Sequence, residues 1–165
     1  MSLVGFGLVA AGLLGLGKAL NVVSYGFLKG RILRRRAWGL NVCCGKTDGG
    51  GVNADIVPHA PVPRFVRVGD ISRLPFRDGQ FDTVLCSHTI EHVDDPDGFL
   101  AEMQRVGRNV TLVLPPLWDF SAAFNVFEHR WLFLTFRKVH LRLPRRIQLP
   151  LAKAIQRRLG QRIHA

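Results

Sequence analysis

The stretch GDISRLPFRDGQFDTVLCSHTIEHVDDPDGFLAEMQRV, Gly69 to Val106, decides how this 165-residue chain is to be read. Phe81–Cys86 is a short apolar run, entered through glycine and aspartate and left through Ser87-His88, as a buried strand is. Asp94 or Asp95 can then cap a helix, and Pro96 suits its first turn. Phe99, Leu100, Met103 and Val106 fall on one face of that helix. Val110–Leu114 follows as a second apolar run. Strand, helix and strand in this order predict a right-handed parallel crossover in an open α/β sheet.

Working outward, Leu40–Cys43, Val52–Val57 and Phe65–Val68 are three more short runs bounded by Gly, Pro, Asp or Asn. In open sheets, ligands bind beyond the carboxyl ends of the strands. The polar residues at those ends are Gly45 with its loop, Asp55, Asp70, and Ser87-His88. An acid closing the second strand can accept hydrogen bonds from a ribose diol. The loop after the first strand offers backbone N–H groups to an anionic end.

These residues resemble a class I S-adenosylmethionine-dependent methyltransferase of the small type 11 kind. The opening stretch is similar to the family's acid after the third strand, its LPF-x-D-x-x-FD entry to the fourth, the EH that follows, and the E-x-x-RV helix. LNVCCG, Leu40 to Gly45, resembles the LDVGCG of the first loop. The resemblance covers about residues 38 to 116. It implies a Rossmann-like open, mostly parallel sheet and S-adenosylmethionine as cofactor. Carried over, Asn41, Cys43 and Gly45 border the methionine end, Asp55 holds the ribose, and Asp70 with Ile71 brackets the adenine. Ser87 and His88 face the sulfonium and the acceptor, with His88 the candidate base.

Each position also has a plainer reading. Asp55 and Asp70 are ordinary strand-end turn residues in many folds, and His88 is equally readable as a hydrogen-bonded structural histidine. Glu91-His92 resembles a cation-binding pair of some quinone O-methyltransferases, but two ligands alone make a poor site and no metal is expected. Cys44 and Cys86 read as small core residues. The three cysteines contain no CxxC, and neighbours such as Cys43 and Cys44 point to opposite faces.

Five departures count against a working enzyme. Asn41 replaces the usual acid, and Cys43 replaces the first glycine of the loop. Nine residues separate Gly45 from Asp55, too few for the usual helix and its turns. After the α-helix, RVGRNVTLVLPP lacks the family's PGG turn, and no final antiparallel hairpin is evident beyond Pro116. Trp118, Phe120, Phe124, Phe127, Trp131 and Phe133 fit either an acceptor lid or packing on the sheet.

The ends of the chain differ from its middle. Residues 1–30 are nearly free of charge. As one helix, residues 3–28 extend about 39 Å at about 1.5 Å per residue, enough to cross a bilayer, with an interfacial helix as the competing reading. Residues 31–37 form a basic juxtamembrane linker, which the positive-inside rule places in the cytoplasm. Gly7, Ala11 and Gly15 recur on one helix face, a spacing that admits a second membrane helix or simply reflects the glycine content of such segments. Residues 38–116 form the methyltransferase-like domain and 117–149 the aromatic and basic segment.

Lys and Arg number 23 against 12 acids, a formal charge of +11, and ten of the acids lie between Asp48 and Glu102. The bases are therefore concentrated in the extensions, toward an anionic partner. In the tail, 150–165, Leu151, Ala154, Ile155 and Leu159 share one helical face and Lys153, Arg157 and Arg158 lie elsewhere. This basic amphipathic pattern points to an anionic membrane. Nucleic acid is disfavoured because basic and aromatic residues do not interleave there, while an acidic partner protein gives the same pattern. Two functions are expected at the cytoplasmic face of a membrane. One is a methyltransferase acting on a lipid, quinone or isoprenoid-like acceptor. The other is a non-catalytic subunit of the same fold in a membrane complex.

Overall fold

The computed structural model describes residues 3–160. The chain begins with α1 (Leu3–Asn21), which runs through a wider π-helical stretch (Val22–Lys29) into α2 (Gly30–Leu33). Then come β1 (Trp38–Val42), β2 (Gly50–Asp55), β3 (Phe65–Arg67), β4 (Phe81–Ser87), α3 (Pro96–Val106) and β5 (Gly107–Val113). The remainder is α4 (Phe120–Ala123), β6 (Trp131–Phe133), β7 (Val139–His140), β8 (Arg146–Gln148) and α5 (Ala152–Leu159).

The main sheet has the order β3-β2-β1-β4-β5-β7, with β1 to β5 parallel and β7 antiparallel. This is the open, mostly parallel α/β sheet expected from the sequence. Strand order reverses between β1 and β4, so the crevice for a ligand lies beyond Val42 and Ser87. The helix α3 starts as its residues dictate: the Asp95 side chain accepts the Gly98 N–H at 2.9 Å, and Pro96 occupies the first turn. Phe99, Met103 and Val106 pack with Leu40, Val42, Val84, Cys86 and Leu112 to form the main core.

A final antiparallel strand does exist, contrary to the sequence reading. β7 pairs with β5 through Leu112↔His140 and Val113↔Val139, and β6 pairs separately with β8. These strands are two or three residues long, too short to carry a periodic signal. The aromatic segment divides between them and the surface. Phe133 enters the core and Trp131 packs against it, whereas Phe120, Phe124 and Phe127 stay exposed.

The opposite face of the sheet is covered in two ways. Over β4 and β5, Leu33 and Ile32 of α2 pack with Leu85 and Val113. Over β1 and β2 no helix is available, because residues 43–49 alone connect these strands, fewer than the dozen or so that parallel neighbours usually need. The connection lies directly on the sheet, which explains the glycine triplet. A Cβ on Gly51 would sit 2.3 Å from the Gly39 carbonyl oxygen, and one on Gly49 would sit 2.7 Å from the Asn41 Cβ. Gly50, at φ +97°, would place a Cβ 1.9 Å from the Arg36 carbonyl oxygen. The glycines are needed for the chain's approach to itself.

Candidate active site

The first loop is closed by its own polar groups. Asn41 and Asn53 face each other across β1 and β2, both buried, with Asn41 Nδ2 donating to Asn53 Oδ1 at 3.2 Å. Asn41 Nδ2 also reaches the Thr47 carbonyl at 3.0 Å, and Asn53 Oδ1 accepts the Gly49 N–H at 2.8 Å. Asn41 therefore satisfies the crossing loop from beneath. An aspartate there would turn two donated hydrogen bonds into oxygen facing oxygen. Cys43 and Gly45 both adopt the left-handed region, at φ 53° and 55°. This is unusual for a cysteine and expected of the glycine it replaces in the family pattern.

Asp55, at the end of β2, is 6% exposed and accepts the Gly45 N–H at 2.8 Å and the Ile56 N–H at 2.7 Å. It ties the first loop to the second strand. Each oxygen retains further acceptor capacity. Asp70 is exposed, its Oδ1 accepting from the Ser72 N–H and hydroxyl at 2.8 and 2.7 Å, which together lower its pKa. Ile71 packs at the edge of the core. Ser87 closes β4 with a buried hydroxyl that has no hydrogen-bond partner. All three cysteines are free, and burial raises their pKa values, Cys44 to about 11 and Cys86 to about 12. Protonated and enclosed, they are packing residues.

His88 begins the turn after β4 in the left-handed region, at φ 55°, with its N–H on the Val113 carbonyl at 2.9 Å. Both ring nitrogens are engaged. Nδ1 lies 3.2 Å from the Glu91 carboxylate and Nε2 2.7 Å from Lys138 Nζ, which also donates to Ser24 Oγ at 2.8 Å. Burial lowers His88 to about 4 and Lys138 to about 8. Burial alone would raise Glu91, but the imidazoles around it, His88 first, outweigh that and hold the carboxyl below its ordinary value. The neutral His88 ring thus bridges a carboxylate and an amine of weakened basicity.

A cavity of about 410 Å³ opens beside this chain of groups, lined among others by Tyr25, Lys29, His88, His92, Ser121 and His129. One wall belongs to the N-terminal helix. Asn21 Nδ2 reaches both oxygens of buried Asp119 at 3.3 Å, and the Phe120 ring lies against Gly17, where a Cβ would meet it at 2.8 Å. The Tyr25 ring lies 4.5 Å from that of His88, with Lys29 Nζ 4.0 Å above it. The structure thus groups Ser87 and His88 at this end of the crevice, Asn41, Cys43, Gly45 and Asp55 around the first loop, and Asp70 with Ile71 after β3. Lys138, His129 and Tyr25 join the site unannounced by the sequence, since long-range packing alone brings them there.

The methyltransferase domain family matches residues 48–113, the part of the chain from the glycine triplet to the end of β5. Over that stretch, less than half of the chain, it is similar to a methyltransferase domain. Norajmaline N-methyltransferase of Rauvolfia serpentina is 54% identical over 39 residues, covering 24% of this chain and 13% of that protein. Ajmaline N-methyltransferase of the same plant is 43% identical over 47 residues, covering 28% and 16%. The chain therefore matches less than a fifth of the length of these two relatives. Among solved structures, an S-adenosylmethionine-dependent methyltransferase from Aquifex aeolicus aligns at TM-score 0.42 and 16% identity, covering 59% of this chain and 70% of that one. One from Thermotoga maritima aligns at TM-score 0.44 and 18% identity, covering 61% and 60%.

The hydrogen bonds around the crevice bear on whether its residues suit S-adenosylmethionine. The orphaned Ser87 hydroxyl and the spare acceptor capacity of Asp55 fit a ligand lying across the crevice. The Asn41 amide is committed to the loop and offers nothing. Of the residues expected to meet the cofactor, Asp55 and Ser87 are the ones with hydrogen-bonding capacity to spare.

Proposed function

We propose that this chain is a membrane-attached S-adenosylmethionine-dependent methyltransferase whose acceptor enters the cavity beside His88 and Lys138. The observation that carries the proposal is that cavity, with buried ionisable groups at the carboxyl end of β4. Desolvated charges in a cleft are costly and cluster where chemistry needs them. The cofactor supplies a methyl group already activated on a sulfonium, so holding the acceptor in line is the main demand on the protein. Two amines lowered to about 8 by burial can, when neutral, take a proton from an acceptor hydroxyl or ammonium: Lys29 on the cavity wall and Lys138 behind His88. His88, expected as the base, serves to hold Lys138 in place through Nε2.

The acceptor class is apolar or amphiphilic, of the lipid, quinone or isoprenoid kind. Exposed Phe124 and Phe127 near the cavity, and the unpacked apolar surface of α1, support that reading. One helix, Gly5–Leu33, is long and apolar enough to cross a membrane by length and composition. Its second half is docked through Gly17, Asn21, Ser24 and Tyr25. Residues 3–16 alone extend about 21 Å at about 1.5 Å per residue, short of a core of about 30 Å. A helix that dips into the cytoplasmic leaflet, with Lys18 and Arg31 at its surface, suits this geometry. In α5, Ala152 and Gln156 dock on the domain while Leu151, Leu159, Arg157 and Arg158 face outward, which suits an anionic membrane.

A second reading, a non-catalytic subunit of a membrane complex, is favoured by the closed first loop and by open space at Gly7 and Gly15 on the face shared with Ala11. Transfer of labelled methyl from S-adenosylmethionine to a membrane lipid extract separates the two. The enzyme reading expects label in the extract, reduced at least tenfold by Lys138→Met. Absence of label from an extract of the source membranes, with the cofactor bound, sinks it in favour of the subunit.

A further inference from the structure

Glu91 is completely buried, and neither carboxylate oxygen has a well-aligned hydrogen-bond donor. Its surroundings are imidazoles. His88 Nδ1 lies at 3.2 Å, His129 Nε2 at 4.0 Å, and the His92 ring stands 4.8 Å from that of His129. A buried carboxylate is costly unless a cation answers it. We propose that Glu91, His92 and His129 form a binding site for a divalent transition-metal ion of the zinc class.

The backbone brings the ligands together and holds them. Glu91 and His92 lie in the turn after β4, and His129 lies two residues before β6. The two segments are stapled at these positions, since the Arg130 and Trp131 N–H groups both donate to the Glu91 carbonyl, at 2.8 and 3.2 Å. One ligand atom from each side chain lies within 4.8 Å of the others. Tetrahedral zinc, with bonds of about 2.0–2.1 Å, needs ligand atoms about 3.4 Å apart, so each moves inward by less than about 1 Å.

Outer contacts set the tautomers. His92 Nδ1 lies 2.9 Å from the Glu128 carbonyl oxygen, to which it donates, so that Nε2 is its ligating nitrogen. His88 Nδ1 supports the Glu91 carboxylate from the other side. Two imidazoles and one carboxylate are the donor set of a zinc or related ion that keeps an open position. That position faces the 410 Å³ cavity, whose wall includes His92 and His129, and takes an oxygen ligand from whatever occupies it. The site stands independently of the methyl-transfer reading.

The test is titration of the full chain, in detergent, with Co²⁺ followed by visible absorption and with Zn²⁺ followed by calorimetry. One ion per chain is expected, with d–d bands and no thiolate-to-cobalt charge transfer, which excludes the cysteines. Glu91→Gln and His129→Gln should each weaken binding at least 100-fold, and His140→Gln should leave it unchanged. Zn²⁺ should also raise the melting temperature of the unaltered chain, a readout that does not depend on a variant folding. No saturable binding at micromolar metal, no shift in melting, or affinity unchanged from the unaltered chain in both ligand variants would overturn the site. Each of those results would leave Glu91 as the partner of His88 alone.

Discussion

Gly50 tests whether the first loop is closed by the chain itself. In Gly50→Ala the new Cβ falls 1.9 Å from the Arg36 carbonyl oxygen and 2.5 Å from its carbon, with φ at +97°. The obstruction is backbone, so no side-chain rotation relieves it. Left-handed strain and overpacking each cost about 1–3 kcal/mol, together about 3–5 kcal/mol. At about 2–4 °C per kcal/mol, the melting temperature should fall by roughly 6–20 °C. Gly79→Ala is the control, because Gly79 has φ +61° with nothing within 4 Å of its Cβ position. It should cost only the conformational part, about 1–2 kcal/mol. Thermal melts of the two variants by circular dichroism decide the matter. If Gly50→Ala melts no lower than Gly79→Ala, the loop has room, and the triplet must be explained by a ligand instead.

Asn41→Asp restores the residue of the family pattern but replaces a donor to Thr47 and Asn53 with an acceptor. It should cost about 2–3 kcal/mol in denaturant melts without improving affinity for S-adenosylmethionine. Lys138 has a folded pKa of about 8 against about 10.5 unfolded, so the unfolded chain holds more protons between these values. Its contribution to stability should rise by about 2–3 kcal/mol as pH climbs from 8 to 10.5, and in Lys138→Met the rise should shrink by that much, leaving the part due to Lys29, which burial also lowers to about 8. Asp119→Ala removes both the cap on the Ala122 N–H and the Asn21 contact. Hydrogen exchange over residues 17–33 should increase at least tenfold. Deleting residues 1–16 should abolish most sedimentation with anionic vesicles while leaving the melting temperature within a few degrees.

The sheet was readable because β1, β2, β4 and β5 are buried apolar runs with turn residues at their ends, and α3 carries its apolar face within eleven residues with its cap, Asp95, directly before them. The acid of β2 and the Ser87-His88 turn were readable for the same local reason. Asn41 looked like a degraded cofactor residue because its partners, Thr47 and Asn53, become neighbours only once the short crossover folds back. Lys138 and His129 were silent because their sequence neighbours give no periodic signal. They reach His88 and Glu91 through strands and turns of two or three residues.

The proposed activity depends on S-adenosylmethionine being held across Asp55, Asp70 and Ser87. Calorimetry on the full chain with S-adenosylmethionine and S-adenosylhomocysteine tests it most directly. The account predicts one site of micromolar affinity for both, weakened at least tenfold by Asp55→Asn and unchanged by Lys138→Met. No heat of binding at millimolar ligand would contradict it.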